Sequence, residues 1–68
     1  MKKGSKLWAK SCITMKNGDI IYVENPIDYV EEQMNCIEEK IVLDVAFWLR
    51  EKTIYLKKKD IKHYEKCS

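Results

Sequence analysis

The chain has 68 residues, 46% hydrophobic and 35% charged, with two Gly, one Pro and three Cys, which leaves room for one small domain over 1–68 and argues against an enclosed catalytic cleft. A chain of this size removes only about 60% of its unfolded surface from water, so its core is marginal without a disulfide, a metal or a second copy of itself. The formal net charge of +2 is too small for the whole-molecule field to commit the protein to nucleic acid or an anionic membrane. Its distribution is informative: Lys2, Lys3, Lys6, Lys10 and Lys16 make the first segment basic, and Arg50, Lys52, Lys57, Lys58, Lys59, Lys62 and Lys66 the last. Between them Glu24, Asp28, Glu31, Glu32, Glu38, Glu39 and Asp44 are opposed only by Lys40, so the ends and the middle can attract each other within a monomer or an oligomer.

In chain order, Asn17-Gly18 between two apolar runs predicts a hairpin with a two-residue type I′ turn, because both central positions of that turn need positive φ. The register then sets Met15 against Ile20, Thr14 against Ile21, Ile13 against Tyr22 and Cys12 against Val23. One face collects Leu7, Ala9, Ile13, Met15, Ile20 and Tyr22, the other Trp8, Cys12, Thr14, Ile21 and Val23. A strand apolar on both faces is usually covered on both, by a helix or by another subunit. Asn25-Pro26 reads as an N-cap followed by Pro at the first helical position, with Asp28 at the positive end of the helix dipole. Ile27, Val30, Met34 and Ile37 follow at three- and four-residue steps and give the helix one apolar stripe.

From Lys40 to Arg50 two periods compete. Ile41, Leu43, Val45, Phe47 and Leu49 alternate as in a strand, while Ile37, Ile41, Val45 and Trp48 suit a long helix. The following segment favours a second hairpin: with Glu51-Lys52 as the turn, Leu49 faces Ile54, Trp48 faces Tyr55 and Phe47 faces Leu56. Glu51-Lys52 lacks the Gly or Asn of a tight turn, which leaves a longer loop open. After a break at Lys57 to Asp60 a short last strand runs from Ile61. The expected fold is α+β: a small, strongly curved antiparallel sheet or barrel in the order β-β-α-β-β and a short β, with one helix packed on the sheet.

Signals for chemistry are sparse. One His and three dispersed Ser cannot build a nucleophile, base and orienting acid away from the chain end. Gly4 and Gly18 cannot form a phosphate-cradling loop, and no cofactor motif is present. Cys12, Cys36 and Cys67 are odd in number and lack paired metal spacing, which predicts packing cysteines rather than a disulfide scaffold; His63 and Cys67 would share a helix face but do not make a metal site. Met1 to Lys10 lacks the apolar stretch of a signal peptide, and no run of about 18 apolar residues exists, so the expected location is the cytoplasm with no membrane partner. The remaining feature is aromatic. Trp8, Trp48 and Tyr55 fall opposite the presumed core, with Lys57, Lys58 and Lys59 adjoining. Covering them calls for a homo-oligomer, and aromatic faces beside lysines suit a nucleotide-like ligand. The same lysines make a nucleic-acid binder the rival, although no aromatics interleave them.

At Asp19-Ile20-Ile21-Tyr22-Val23 and Thr53-Ile54-Tyr55-Leu56-Lys57-Lys58-Lys59-Asp60-Ile61 the chain resembles small accessory proteins of phages and prophages of low-GC Gram-positive bacteria. Its closing strand, turn and short strand also resemble the end of an Sm-like small barrel. Neither resemblance carries a functional residue over. The phage-like one implies a non-enzymatic, host-directed accessory in the host cytoplasm, an inhibitor of host defence that binds a host protein or sequesters a nucleotide-derived immune signal in an oligomeric pocket. A structural or assembly subunit, its aromatic face used only for association, is the third possibility.

Overall fold

The structure, a computed structural model, describes residues 2–46 and 52–67. In chain order the elements are β1 (Lys2–Lys3), a 3₁₀ turn (Lys6–Trp8), β2 (Ser11–Met15), β3 (Ile20–Val23), α1 (Ile27–Asn35), β4 (Lys40–Val45), β5 (Lys52–Lys57), a second 3₁₀ turn (Lys58–Asp60) and β6 (Ile61–Lys66). The expected α+β class with one helix holds. The expected curled or closed sheet does not: five antiparallel strands form an open sheet in the order β5-β4-β3-β2-β6, and β1 adds a short parallel pairing to β3. The last strand is as long as β4 and β5. It lies beside β2, so the chain ends flank the central pair.

The first hairpin forms at Asn17-Gly18, but its register is shifted by one residue. Within the loop only Gly18 takes a positive φ, 96°, and no described non-glycine residue does. The Gly18 N–H donates to the Met15 carbonyl at 3.0 Å and the Met15 N–H to the Asp19 carbonyl at 2.8 Å, the pattern of a three-residue loop in which a type I turn is followed by glycine in the left-handed region. The Asp19 N–H donates to Asn17 Oδ1 at 2.9 Å, so Asn17 serves through its side chain rather than its backbone. Pairing becomes Thr14 with Ile20, Ile13 with Ile21 and Cys12 with Tyr22. A one-residue slip exchanges the faces, which is why Ile21 and Val23 lie in the core rather than opposite it. Leu7, Trp8 and Ala9 are not strand; β2 starts at Ser11.

The helix also starts one residue later than expected. Pro26 is the cap, its carbonyl accepting from the Tyr29 and Val30 N–H groups. Asn25 is engaged elsewhere: its Oδ1 accepts from the Asp44 N–H at 2.7 Å, and its carbonyl accepts from the buried Ser11 Oγ at 2.6 Å. These bonds set the helix onto the sheet at the junction of β3 and β4. Val30 is fully buried, with Ile27 and Met34 packed around it. The helix ends at Asn35, so Ile37 leaves the expected stripe and is 97% exposed.

The second antiparallel pair forms between β4 and β5, in a register that ends at Val45 and Lys52. Ile41 pairs with Leu56, Val42 with Tyr55, Leu43 with Ile54 and Val45 with Lys52. The expected partners Phe47, Trp48 and Leu49 lie outside the described residues, and Lys52 already belongs to β5, paired with Val45, so Glu51-Lys52 is not the two-residue turn. Ile41, Leu43 and Val45 join Ile13, Ile21, Val23, Val30 and Ile61 in one core between sheet and helix. β3 and β4 pair at Val23 and Val45, flanked by the Ala46 N–H on the Tyr22 carbonyl at 2.9 Å and the Glu24 N–H on the Asp44 carbonyl at 2.8 Å. The N-terminal segment fills the fork between them, with the Ser5 N–H on the Ala46 carbonyl at 2.7 Å.

The cysteines depart from the packing role expected of them. Cys12 on β2 faces Glu65 on β6, and Cys67, two residues further along, closes a disulfide with Cys12 across a Cα separation of 5.8 Å. Their sequence separation of 55 residues hid a diagonal cross-strand neighbour that only the β2–β6 pairing reveals. Cys36 is a free, exposed thiol.

Candidate functional site

The outer face of the β4–β5 ladder, away from the core, carries Lys40, Val42 and Asp44 of β4 and Thr53, Tyr55 and Lys57 of β5. Lys40 faces Lys57, Val42 faces Tyr55 and Asp44 faces Thr53, with the Thr53 Oγ1 donating to Asp44 Oδ1 at 2.9 Å. Because β5 is the sheet edge, this face is accessible from the side as well as from above. Tyr55 is 68% exposed, and Lys57 follows it on the same face about 7 Å further along the strand.

Beyond Lys57 the backbone turns through Lys58–Asp60, and the Lys58 N–H donates to the Glu39 carbonyl at 2.9 Å. Glu39, Lys40, Lys57, Lys58 and Lys59 line an open groove of about 370 Å³. The four lysines differ in role. Lys58 is half-buried, and its ammonium donates to the Cys36 carbonyl just past the end of α1, where cations suit the negative end of the helix dipole. Lys40, Lys57 and Lys59 are exposed and have no carboxylate within salt-bridge distance among the described residues. Like charges directly opposite in a ladder repel, so the Lys40–Lys57 pair is a locus where an anion lowers the local electrostatic energy.

Of the residues singled out from sequence, the structure brings Tyr55, Lys57, Lys58 and Lys59 together. Trp48 lies outside the described residues. Trp8 is 47% exposed on the 3₁₀ turn that leads into β2. It does not line the groove, because β3 and β4 stand between β2 and β5 in the sheet. Lys40 and Glu39 were missed. Their signal was present in the match of Ile41 and Leu43 to Leu56 and Ile54, a register that sets Lys40 opposite Lys57.

The groove offers ammonium groups and the Glu39 carboxylate, with the Tyr55 ring beside it on the outer face of β5. His63 is exposed on β6, opposite Thr14 and 4.0 Å from Glu65. Cys67 has no thiolate to share with it, being disulfide-bonded. Among the described residues no cluster of three or more His, Cys, Asp or Glu could hold a metal ion, and no helix is long and apolar enough to cross a membrane. No protein-family model matches the chain, nor does any curated protein or solved structure.

Proposed function

We propose that this is a non-enzymatic binding protein whose β4–β5 edge takes a nucleotide-like anion, with phosphate oxygens against Lys40, Lys57 and Lys59 and a flat base against Tyr55. The observation that carries this reading is the cross-strand Lys40–Lys57 pair beside an exposed Tyr55 on one sheet face. Stacking on an aromatic contributes about 1–3 kcal/mol per base. The ammonium contacts add attraction that salt screens over about 8 Å at physiological ionic strength. Sequestration of a nucleotide-derived immune signal, the role implied by the phage-like resemblance, is the form of this reading in which the ligand is a host nucleotide. The homo-oligomer belongs to the same proposal: the outer face of β4–β5 and the β5 edge, which has no further strand on it among the described residues, are surfaces that a second copy can complete.

Calorimetric titration with a mononucleotide, its nucleoside and inorganic phosphate tests it. The nucleotide should bind best, Lys57→Glu should weaken it at least tenfold, and Tyr55→Ala should weaken it about 5- to 150-fold by the stacking range. A nucleoside that binds as well as its nucleotide overturns the lysine assignment. A native mass spectrum of the complex reports ligand and subunit number together, and a monomer at micromolar concentration rejects the oligomer. The second reading, a nucleic-acid binder, rests on the same lysines. It predicts an oligonucleotide affinity that falls steeply with salt, in proportion to the phosphates neutralised, where a stacked mononucleotide loses less.

A further inference from the structure

The Cys12–Cys67 disulfide sits where little else holds the chain. Ile61 is the last fully core-facing residue of β6 and Tyr64 is half-buried against the core, but Glu65 and Lys66 are exposed and bury no side chain. Past Tyr64 the strand is retained by its ladder to β2, by the Cys67 N–H donating to the Lys10 carbonyl at 3.0 Å, and by the disulfide. The start of β6 is tied separately, through the Lys16 N–H on the Asp60 carbonyl at 2.8 Å. Lys66 and Cys67 also form one wall of a second groove, about 390 Å³, whose other side is Pro26, Ile27 and Asp28 at the start of α1.

We infer that the disulfide is a thiol-responsive clasp. Oxidised, it pins the C-terminal end of β6 and keeps the wall of the second groove in place. Reduced, it frees residues 65–67 from β2 and opens that groove, while the β2–β5 sheet stays folded. The chemistry is thiol–disulfide exchange with a dithiol: one reductant thiolate attacks one clasp sulfur, forming a mixed disulfide with it and releasing the other protein sulfur as a thiolate, and the reductant's second thiolate then attacks its own sulfur of the mixed disulfide and releases the first protein sulfur. Two electrons and two protons pass to the protein, leaving Cys12 and Cys67 as thiols and the reductant as its cyclic disulfide. The device lies apart from the lysine groove and does not depend on the ligand-binding reading.

Amide hydrogen exchange tests the clasp in the Cys36→Ser protein, so that Cys36 cannot exchange with it. The protein is oxidised with glutathione disulfide and then treated with dithiothreitol at a temperature where the oxidised form is folded. On reduction, protection across 65–67, including the Cys67 amide, should fall to within about tenfold of an unstructured peptide, the regime of local opening. The amides of Ile13, Val23 and Leu43 should remain at least about a hundredfold slower than the C-terminal ones, as cooperative core units do. Cys67→Ser should match the reduced pattern in both buffers. Loss of protection in core and C-terminus together overturns the local clasp. So does an unchanged C-terminus, or failure of Cys12 and Cys67 to join under oxidant.

Discussion

The two glycines show how differently one residue type is used. Gly18 has φ +96° in the hairpin loop, and a Cβ there would meet nothing within 4 Å. Gly4 has φ +86°, and a Cβ would lie 2.7 Å from the Tyr22 carbonyl oxygen, 2.9 Å from Val45 Cγ1 and 3.1 Å from the Ala46 carbonyl oxygen. Gly18→Ala should therefore cost only the left-handed backbone penalty, about 1 kcal/mol. Gly4→Ala adds steric conflict with two strands at the fork of β3 and β4 and should cost at least about 2 kcal/mol, limited by the N-terminal segment letting go. Urea denaturation midpoints compare the two, and equal losses would show that Gly4 is not clamped in the fork. Gly18 was readable from Asn17-Gly18. Gly4 was not, because its neighbours come from Tyr22, Val45 and Ala46, distant in the chain.

Among the elements, α1 separates buried from exposed apolar residues most cleanly. Val30 is fully buried under the sheet, while Ile37, in step with it by spacing, stands beyond the helix end in solvent. Val30→Ala should destabilise by about 2 kcal/mol through lost burial and a residual cavity. Ile37→Ser should stay within about 0.5 kcal/mol, as surface changes do. Thermal melts of the two variants check this, and a comparable loss in both would place Ile37 against something in solution. The existence of both hairpins and the helix was legible, since Asn17-Gly18, Pro26 and the alternation around Ile41 and Leu43 are local signals. Registers were less so. The first slipped by one residue because the loop uses one positive-φ residue where the dipeptide suggested two, and that slip exchanged the roles of Ile21 and Ile20. The second depended on which residue of β4 pairs with Lys52, and composition does not state that this is Val45. The same error concealed Lys40 and so half of the cross-strand pair that defines the groove, although Tyr55 and the three consecutive lysines were readable from their types and positions alone.

For the whole molecule, the marginal core of a 68-residue chain finds its support within one copy, before any association. The apolar core is a single layer between an open sheet and one nine-residue helix, and a core of this class supplies roughly 3–5 kcal/mol. The Cys12–Cys67 bridge, at a separation of 55 residues, joins residues near the beginning and end of the chain and restricts the unfolded ensemble over most of its length. A disulfide closing a long loop typically adds about 2–4 kcal/mol, as much again as the core itself. Cys67→Ser should thus keep the native fold while lowering the melting temperature by roughly 8–32 °C, given about 4–8 °C per kcal/mol for a domain of this size. The drop should equal the one that dithiothreitol causes in the Cys36→Ser protein, and dithiothreitol should not lower Cys67→Ser further. A melting temperature indifferent to both treatments would assign the stability elsewhere. The surviving source is then the second copy that the outer β4–β5 face can accept, and the melting temperature would instead rise with protein concentration, as linkage to association requires.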